Sequence, residues 1–320
     1  PHIGVSNINI GITLILTIMS IIIRENRDKK YFYLVVFIVS LSAICIITGK
    51  YIFKKSNPDI ILDTDSQYSR IWVTNVKNQN GNYKTLQVDM GLESYLDTNT
   101  NEMGAEYLKF YDLFDYYNKN AKNTLLIGGA AYTYPMHYLN KYSDKNIDVV
   151  EIDDKMTKIA EEEFGLNLND ERIKVYSQDG RSFFNYSKNK YDTILIDAFK
   201  GLNIPFELTT YEALENAKTL LNDNGLVITN IISGIDGNGA DFLKYEYATY
   251  KAVFDDVKLF KVKDVRTTEE SQNLILVGIK GELNVSEERK NEFSYLLDRE
   301  ITGFESDKKI VTDDFAPIGN

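Results

Sequence analysis

The sequence has one cysteine and two histidines among its 320 residues, and it lacks any excess of positive charge. A lone Cys45 cannot close a disulfide within the chain or build a cysteine-ligated metal site. His2 and His137 supply too few imidazoles for zinc, so no metal is expected. A formal net charge of −11 leaves no basic footprint to engage phosphates, which excludes nucleic acid as the expected partner. There is no internal repeat, and no initiator Met: the chain starts Pro1-His2-Ile3, which reads as a fragment or a processed form.

Two long apolar runs are present. Residues 8–23 are almost wholly apolar, and residues 31–49 carry no charge. The second run reaches the length of about 20 residues that a bilayer core demands, and the first is near the lower limit. Two transmembrane helices are therefore expected. Buried core helices and a cleavable signal peptide are the alternatives. Against the signal peptide stand the second run and the want of a small-residue cleavage site after either. Against core helices stand Tyr31, Phe32, Tyr33, Tyr51 and Phe53, aromatics placed at the ends of the second run as at a membrane interface. Basic residues occupy both the short loop (Arg24, Arg27, Lys29, Lys30) and the far side (Lys50, Lys54, Lys55), so charge does not fix the orientation. The expected location is the cell membrane, multi-pass, with the following domain in the cytoplasm.

From residue 57 the character changes. Residues 69–77 alternate apolar and polar, Asn80-Gly81 marks a hairpin turn, and 83–90 returns as the partner strand. Residues 103–118 read as an aromatic helix with Tyr107, Phe110, Tyr111 and Phe114 on one face, suited to core packing. The expected organisation is a membrane region at 1–56, a small β subdomain at 57–102, and a nucleoside-binding catalytic domain at 103–320.

That last domain is organised around residues 123–153. Residues 124–127 form a buried-strand run, Gly128 and Gly129 follow where the chain must turn sharply, and a helix opens near Tyr134 or Pro135. Residues 147–150 make a second apolar run that ends in Glu151 and Asp153. An acid at that strand end, about 20 residues after the glycines, is placed to accept from the two hydroxyls of a ribose. No third glycine follows through Tyr134, which argues against a pyrophosphate-bearing cofactor and for an adenosine ligand without phosphates, such as S-adenosylmethionine or a relative. Further strands are expected at 173–176, 191–196, 226–230 and 273–279, with helices at 155–164 and 241–254. Strands alternating with helices predict an α/β, doubly wound Rossmann-like sheet of the class I S-adenosylmethionine-dependent transferase type. Glu151, Asp179 and Asp197 end three successive strands, where such folds bind ligands. Asp179 suits the exocyclic amine of adenine, with Gly180 letting the backbone close on the ring. Its plainer role is a turn cap. Asp197 suits a cationic amine or a sulfonium, and its plainer role is a helix cap.

In order along the chain, YSRI (68–71), LQVDMG (86–91), LLIGG (125–129), VEIDD (150–154), QDGRSFF (178–184) and YDTILIDAF (191–199) resemble the motifs of the spermidine synthase (polyamine aminopropyltransferase) family. The resemblance implies ribose binding by Glu151, adenine binding by Asp179, and Asp197 as catalytic acid. It also implies decarboxylated S-adenosylmethionine as co-substrate, a polyamine or other amine as acceptor, and allows a homo-oligomer. The chain departs from the pattern at Ala131, where the family carries an aspartate that recognises the donor's amine, and at Lys200, where it carries a second catalytic aspartate. Ser69 and Glu93 stand where the family has glutamines. DAFKGLNIPFELTT (197–210) and TDDFAP (312–317) resemble the membrane-attached spermidine synthase-like branch. Two other functions stay open: a methyltransferase using S-adenosylmethionine, and a silent membrane protein that binds a nucleoside thioether.

Overall fold

The computed structural model describes residues 59–79, 81–89, 91–199, 204–283 and 285–317, with isolated helical positions at 11–12, 15–16, 18, 37–38 and 40–41. The two expected spans, 8–23 and 31–49, therefore lie largely outside the described residues. Among the described residues no helix is long and apolar enough to cross a membrane. The chain separates into two compact units, Pro1–Thr100 and Asn101–Asn320.

The first unit holds a four-stranded antiparallel sheet in the order β1-β2-β3-β4, formed by β1 (Ile60–Asp65), β2 (Arg70–Asn78), β3 (Gly81–Val88) and β4 (Gly91–Asp97). The expected hairpin is present, closing with Asn78 opposite Gly81, so Gly81 belongs to the returning strand. The flanking strands β1 and β4 carry no clean alternation, and the sequence reading passed over both. Ile71, Val73 and Leu86 are fully buried and share one face of this sheet.

The second unit contains a seven-stranded sheet built from β5 (Asn123–Ile127), β6 (Asn146–Glu151), β7 (Ile173–Ser177), β8 (Tyr191–Ile196), β9 (Leu221–Ser233), β10 (Asp256–Lys261) and β11 (Gln272–Ile279), in the order β10-β11-β9-β8-β5-β6-β7. The five strands β7, β6, β5, β8 and β9 run parallel, and β11 and β10 complete the sheet antiparallel to their neighbours. This is the doubly wound Rossmann-like arrangement. β5 pairs with β6 on one side and β8 on the other, so the strand order reverses there and opens a crevice at the carboxyl ends.

Burial on both faces explains the continuous apolar strands. Leu126, Leu195, Ile228 and Val277 point into one core, with Phe110, Phe114 and Tyr138. Leu125, Ile127, Ile194, Ile196, Val227 and Leu276 point into the other, with Phe184, Leu214, Leu243 and Tyr250. Two expectations need correction. The aromatic stretch is shorter than 103–118: a 3-10 helix (Glu106–Asp112) runs into a single α-helical turn (Leu113–Tyr117). The strand β10 lies in the interval that the sequence reading left between 254 and 273.

The 106–117 segment is fastened to the helix Thr133–Lys141, which follows β5. Tyr111 packs edge-on against Tyr134 with centroids 5.1 Å apart, and Phe114 meets Tyr138 at 5.5 Å. Asp112, buried, accepts from Lys141 Nζ at 2.6 Å and from the Tyr134 hydroxyl at 3.3 Å. These contacts hold the start of the segment, Tyr107, over the carboxyl end of the sheet. A second fastening uses the 312–317 stretch. Arg181 Nη2 donates to Asp313 Oδ2 at 2.6 Å, Arg181 Nη1 donates to Thr210 Oγ1 at 2.8 Å, and Thr210 donates to Asp313 Oδ1 at 2.7 Å.

Candidate active site

Glycine at 128 is required by geometry. Its φ is +94°, and a Cβ there would stand 2.4 Å from the carbonyl oxygen of Asp197. The turn after β5 and the start of the loop after β8 therefore touch backbone to backbone, and the Asp197 N–H donates to the Ile127 carbonyl at 2.9 Å. At Gly129 a Cβ would meet the ring of Tyr132 at 2.6 Å. The Tyr132 hydroxyl is paired with Thr157 at 2.7 Å. Ala131 is fully buried and brings no polar group to the turn.

Glu151 ends β6 beneath this turn. Its Oε2 accepts from the N–H groups of Gly129 (2.8 Å) and Ala130 (3.2 Å), and its Oε1 accepts from the Asp153 N–H (2.9 Å). Burial pushes its carboxyl up, and the three N–H donors pull it back. A carboxylate offers about four acceptor positions, so roughly one remains for a ligand hydroxyl. The sequence assigned Glu151 to a ribose alone; the structure adds that it ties the glycine turn to the sheet. Asp153 caps the helix Asp154–Ile159 by accepting from Lys155 N–H at 3.1 Å. Between these buried acids, Ile152 is 42 % exposed, an apolar side chain standing at the strand ends. Sequence reasoning overlooked it, although an apolar residue between two acids at a strand end was the available signal.

Asp179 is exposed and caps the helix Gly180–Tyr186, its Oδ1 accepting from the Ser182 N–H at 2.7 Å. The cap takes one oxygen, so it does not preclude a ligand on the other. Gly180 is also required by packing. A Cβ would meet Ile127 Cγ2 at 2.7 Å and Leu208 Cδ2 at 3.1 Å, so the missing side chain makes room for helix, strand and loop to pack.

Asp197 follows β8 and is partly buried. Its Oδ2 accepts from the Tyr107 hydroxyl at 3.0 Å, and its Oδ1 accepts from Asn230 Nδ2 at 3.2 Å. Burial pushes the carboxyl up to about 6, against the pull of Asn230, Tyr111 and Tyr107. Tyr111 is fully buried nearby, with a hydroxyl that makes no hydrogen bond of normal geometry; burial and the neighbouring carboxylate hold that phenol protonated. Asp197 caps no helix among the described residues. An acid poised near neutral pH, held by a phenol and an amide, can take a proton from an ammonium or stabilise a departing cation. Lys200 lies outside the described residues. The sequence pattern reads Tyr107 as core and gives Asn230 no role; a lone amide in the apolar strand LVITNII is its signal. Among the described residues, no group of three or more His, Cys, Asp or Glu is placed to hold a metal.

Residues 110–260 match the family described as the spermine/spermidine synthase domain. A probable polyamine aminopropyl transferase of Bifidobacterium longum is 34% identical over 121 residues, covering 38% of this chain and 26% of the relative. A polyamine aminopropyltransferase of Vibrio vulnificus is 30% identical over 166 residues, covering 51% and 52%. The match thus spans no more than about half the length of these relatives. Among solved structures, a probable spermidine synthase from Corynebacterium glutamicum superposes with a TM-score of 0.65 at 19% identity, over 79% of this chain and 97% of that one. The spermidine synthase from Thermotoga maritima gives 0.54 at 15%, over 80% and 82%. These likenesses establish the fold, and over residues 110–260 the chain is similar to the spermine/spermidine synthase domain.

Proposed function

We propose that the chain is a membrane-anchored aminopropyltransferase that moves the aminopropyl group of decarboxylated S-adenosylmethionine onto a polyamine or another amine. The observation that carries this reading is Asp197: an acid poised at about 6, one backbone contact from the glycine turn, with a hydroxyl on one oxygen and an amide on the other. The nucleoside end is served by Glu151 for a ribose hydroxyl, by Ile152 against a face of the base, and by Asp179 for the exocyclic amine. Gly128 and Gly129 keep the turn close under the ligand. In the transfer, the acceptor nitrogen's lone pair attacks the methylene carbon beside the sulfonium. The C–S bond breaks, its electrons neutralise the sulfur to give methylthioadenosine, and the nitrogen's surplus proton passes to Asp197 or water. Above pH 6 the ionised carboxylate attracts the ammonium and accepts that proton.

One observation favours a second reading. Ala131 places no carboxylate at the turn, so the carboxylate of intact S-adenosylmethionine would meet no repulsion there, as methyl transfer requires. Calorimetric titration of the chain with S-adenosylmethionine, its decarboxylated form and methylthioadenosine separates the two. Tightest binding of the decarboxylated donor, with aminopropyl transfer to putrescine, is expected; exclusive binding of the carboxylated donor would replace the proposal by methyl transfer.

Membrane anchoring rests on the two apolar runs and on Ile12, Ile15, Leu16, Ile18, Phe37 and Leu41, all exposed. A chain carrying these should stay with membranes through carbonate washing. Release into the wash would remove the anchor from the proposal.

A further inference from the structure

The Asp197 carboxylate is reached by a chain of two amides from a strand that does not touch it. Asn230 lies in β9 and is 1% exposed. A buried amide is costly unless both its ends are paired, and here both are. Its Nδ2 donates to Asp197 Oδ1 at 3.2 Å, and its Oδ1 accepts from Asn273 Nδ2 at 3.0 Å. The register of the sheet makes this possible. β9 and β11 pair Asn230 with Ile275 and Ile232 with Asn273, so the two asparagines share one face of neighbouring strands as a diagonal pair.

We infer that Asn273 is a positioning residue, which fixes the Asn230 amide so that its NH2 end, and not its carbonyl, faces Asp197. The oxygen and nitrogen ends of an asparagine side chain have nearly the same shape, and the hydrogen-bond network decides between them. An ionised carboxylate only accepts, so it needs the NH2 end. A protonated carboxyl donates, so it also tolerates the carbonyl. By holding the Asn230 oxygen, Asn273 favours the orientation that suits an ionised Asp197. Among the described residues, the groups that bear on this carboxylate are Tyr107 and Tyr111 of the 3-10 helix and Asn230 of β9. The Tyr107 hydroxyl occupies the other oxygen. Asn230 and Tyr107 are thus the two donors hydrogen-bonded to this carboxylate against the effect of burial, and the relay sets the Asn230 donor from the neighbouring strand β11. The inference concerns the ionisation of Asp197 whatever group is transferred, and only its consequence for rate rests on the proposed function.

The test is a 13C-carboxylate NMR titration of Asp197 in the full chain, assigned with Asp197→Asn, beside a pH–rate profile. The wild-type midpoint is expected near 6. In Asn273→Leu it should rise by roughly half to one pH unit, the scale on which hydrogen bonding moves a carboxyl. In Asn273→Asp the new carboxylate takes the Asn230 NH2, turns the carbonyl toward Asp197 and adds a negative charge, so the rise should be larger. This variant also serves as the test if Asn273→Leu fails to fold. In an Asn230→Leu background, Asn273→Leu should add nothing. An unchanged midpoint in folded Asn273→Leu, or an equal rise in the Asn230→Leu background, overturns the relay. A midpoint that moves while the acid limb of the rate profile stays fixed upholds the relay and overturns Asp197 as the reacting acid.

Discussion

Glu151 and Asp197 end the two strands that flank β5, yet they are held in opposite ways. Glu151 is gripped by backbone: three N–H groups, two from the glycine turn only 22 and 21 positions away, fill most of its acceptor capacity. Asp197 is gripped by side chains from distant stretches, Tyr107 at 90 positions and Asn230 at 33. A backbone donor is supplied by any residue except proline, so the proposed nucleoside end depends on chain path more than on residue identity. A side-chain donor is removed by one substitution. The reaction end is therefore where the properties of the site can be retuned without disturbing the fold.

The sharpest way to break the comparison is Gly128→Ala, because that glycine serves both ends. The added Cβ would meet the Asp197 carbonyl oxygen at 2.4 Å and its carbon at 2.8 Å, in a φ region that side chains avoid. A stability loss of about 3 kcal/mol or more is expected in denaturant titration, with nucleoside affinity and turnover falling together. Affinity lost with turnover per bound donor intact would show the two ends to be independent.

Asp197→Asn should separate them. Turnover is expected to fall about 100-fold with nucleoside affinity nearly constant, since the charge acts on the reacting groups and not on the adenosine. The same substitution has a signature in stability. The carboxyl ionises near 3.8 when unfolded and near 6 when folded, so between those values the folded state binds more protons and stability drops as pH rises. Above about pH 6 the ionised, partly buried carboxylate costs up to roughly 3 kcal/mol. Asp197→Asn should therefore be more stable than wild type at pH 8, with the difference vanishing near pH 4. Equal stability at pH 8 would place the carboxylate in water.

Glu151→Gln should have the smallest effect and fall on one end only. Its amide NH2 must face either the glycine-turn N–H groups or that of Asp153, which leaves a donor opposed to a donor. A loss of about 2 kcal/mol in methylthioadenosine affinity is expected, within the range for hydrogen bonds to a charged group. The Asp197 titration should not move. Unchanged affinity would remove Glu151 from ribose binding.

The same contrast explains what could be read from the sequence. Gly128, Gly129, Glu151 and the strands around them were legible, because a buried parallel strand must be apolar and the tight turn after it leaves no room for a side chain at either glycine. The strand at 191–196 was placed to the residue for that reason. Asp197 was legible as an acid at a strand end. Tyr107, Asn230 and Asn273 were not, because nothing local distinguishes a tyrosine that packs from one that also donates, and strand register is a tertiary fact. Gly180 was legible as necessary, but its packing against Ile127 and Leu208 was not, because periodicity does not show which side chains an added Cβ would meet. β10 escaped because its lysines and aspartate interrupt the apolar pattern along the sheet's edge.

The fastening of Arg181 to Asp313 joins residues 132 positions apart, while the Glu151 grip spans 22. During folding, the nucleoside end can form from the contiguous stretch between β5 and the helix Gly180–Tyr186, whereas the relay to Asp197 waits for β11 and the Thr210 clip waits for the final turn. Contacts between distant stretches are slow to form. Contact order alone therefore predicts that protection from hydrogen exchange in pulse-labelled refolding appears at Glu151 and the glycine turn before β11 and Asp313.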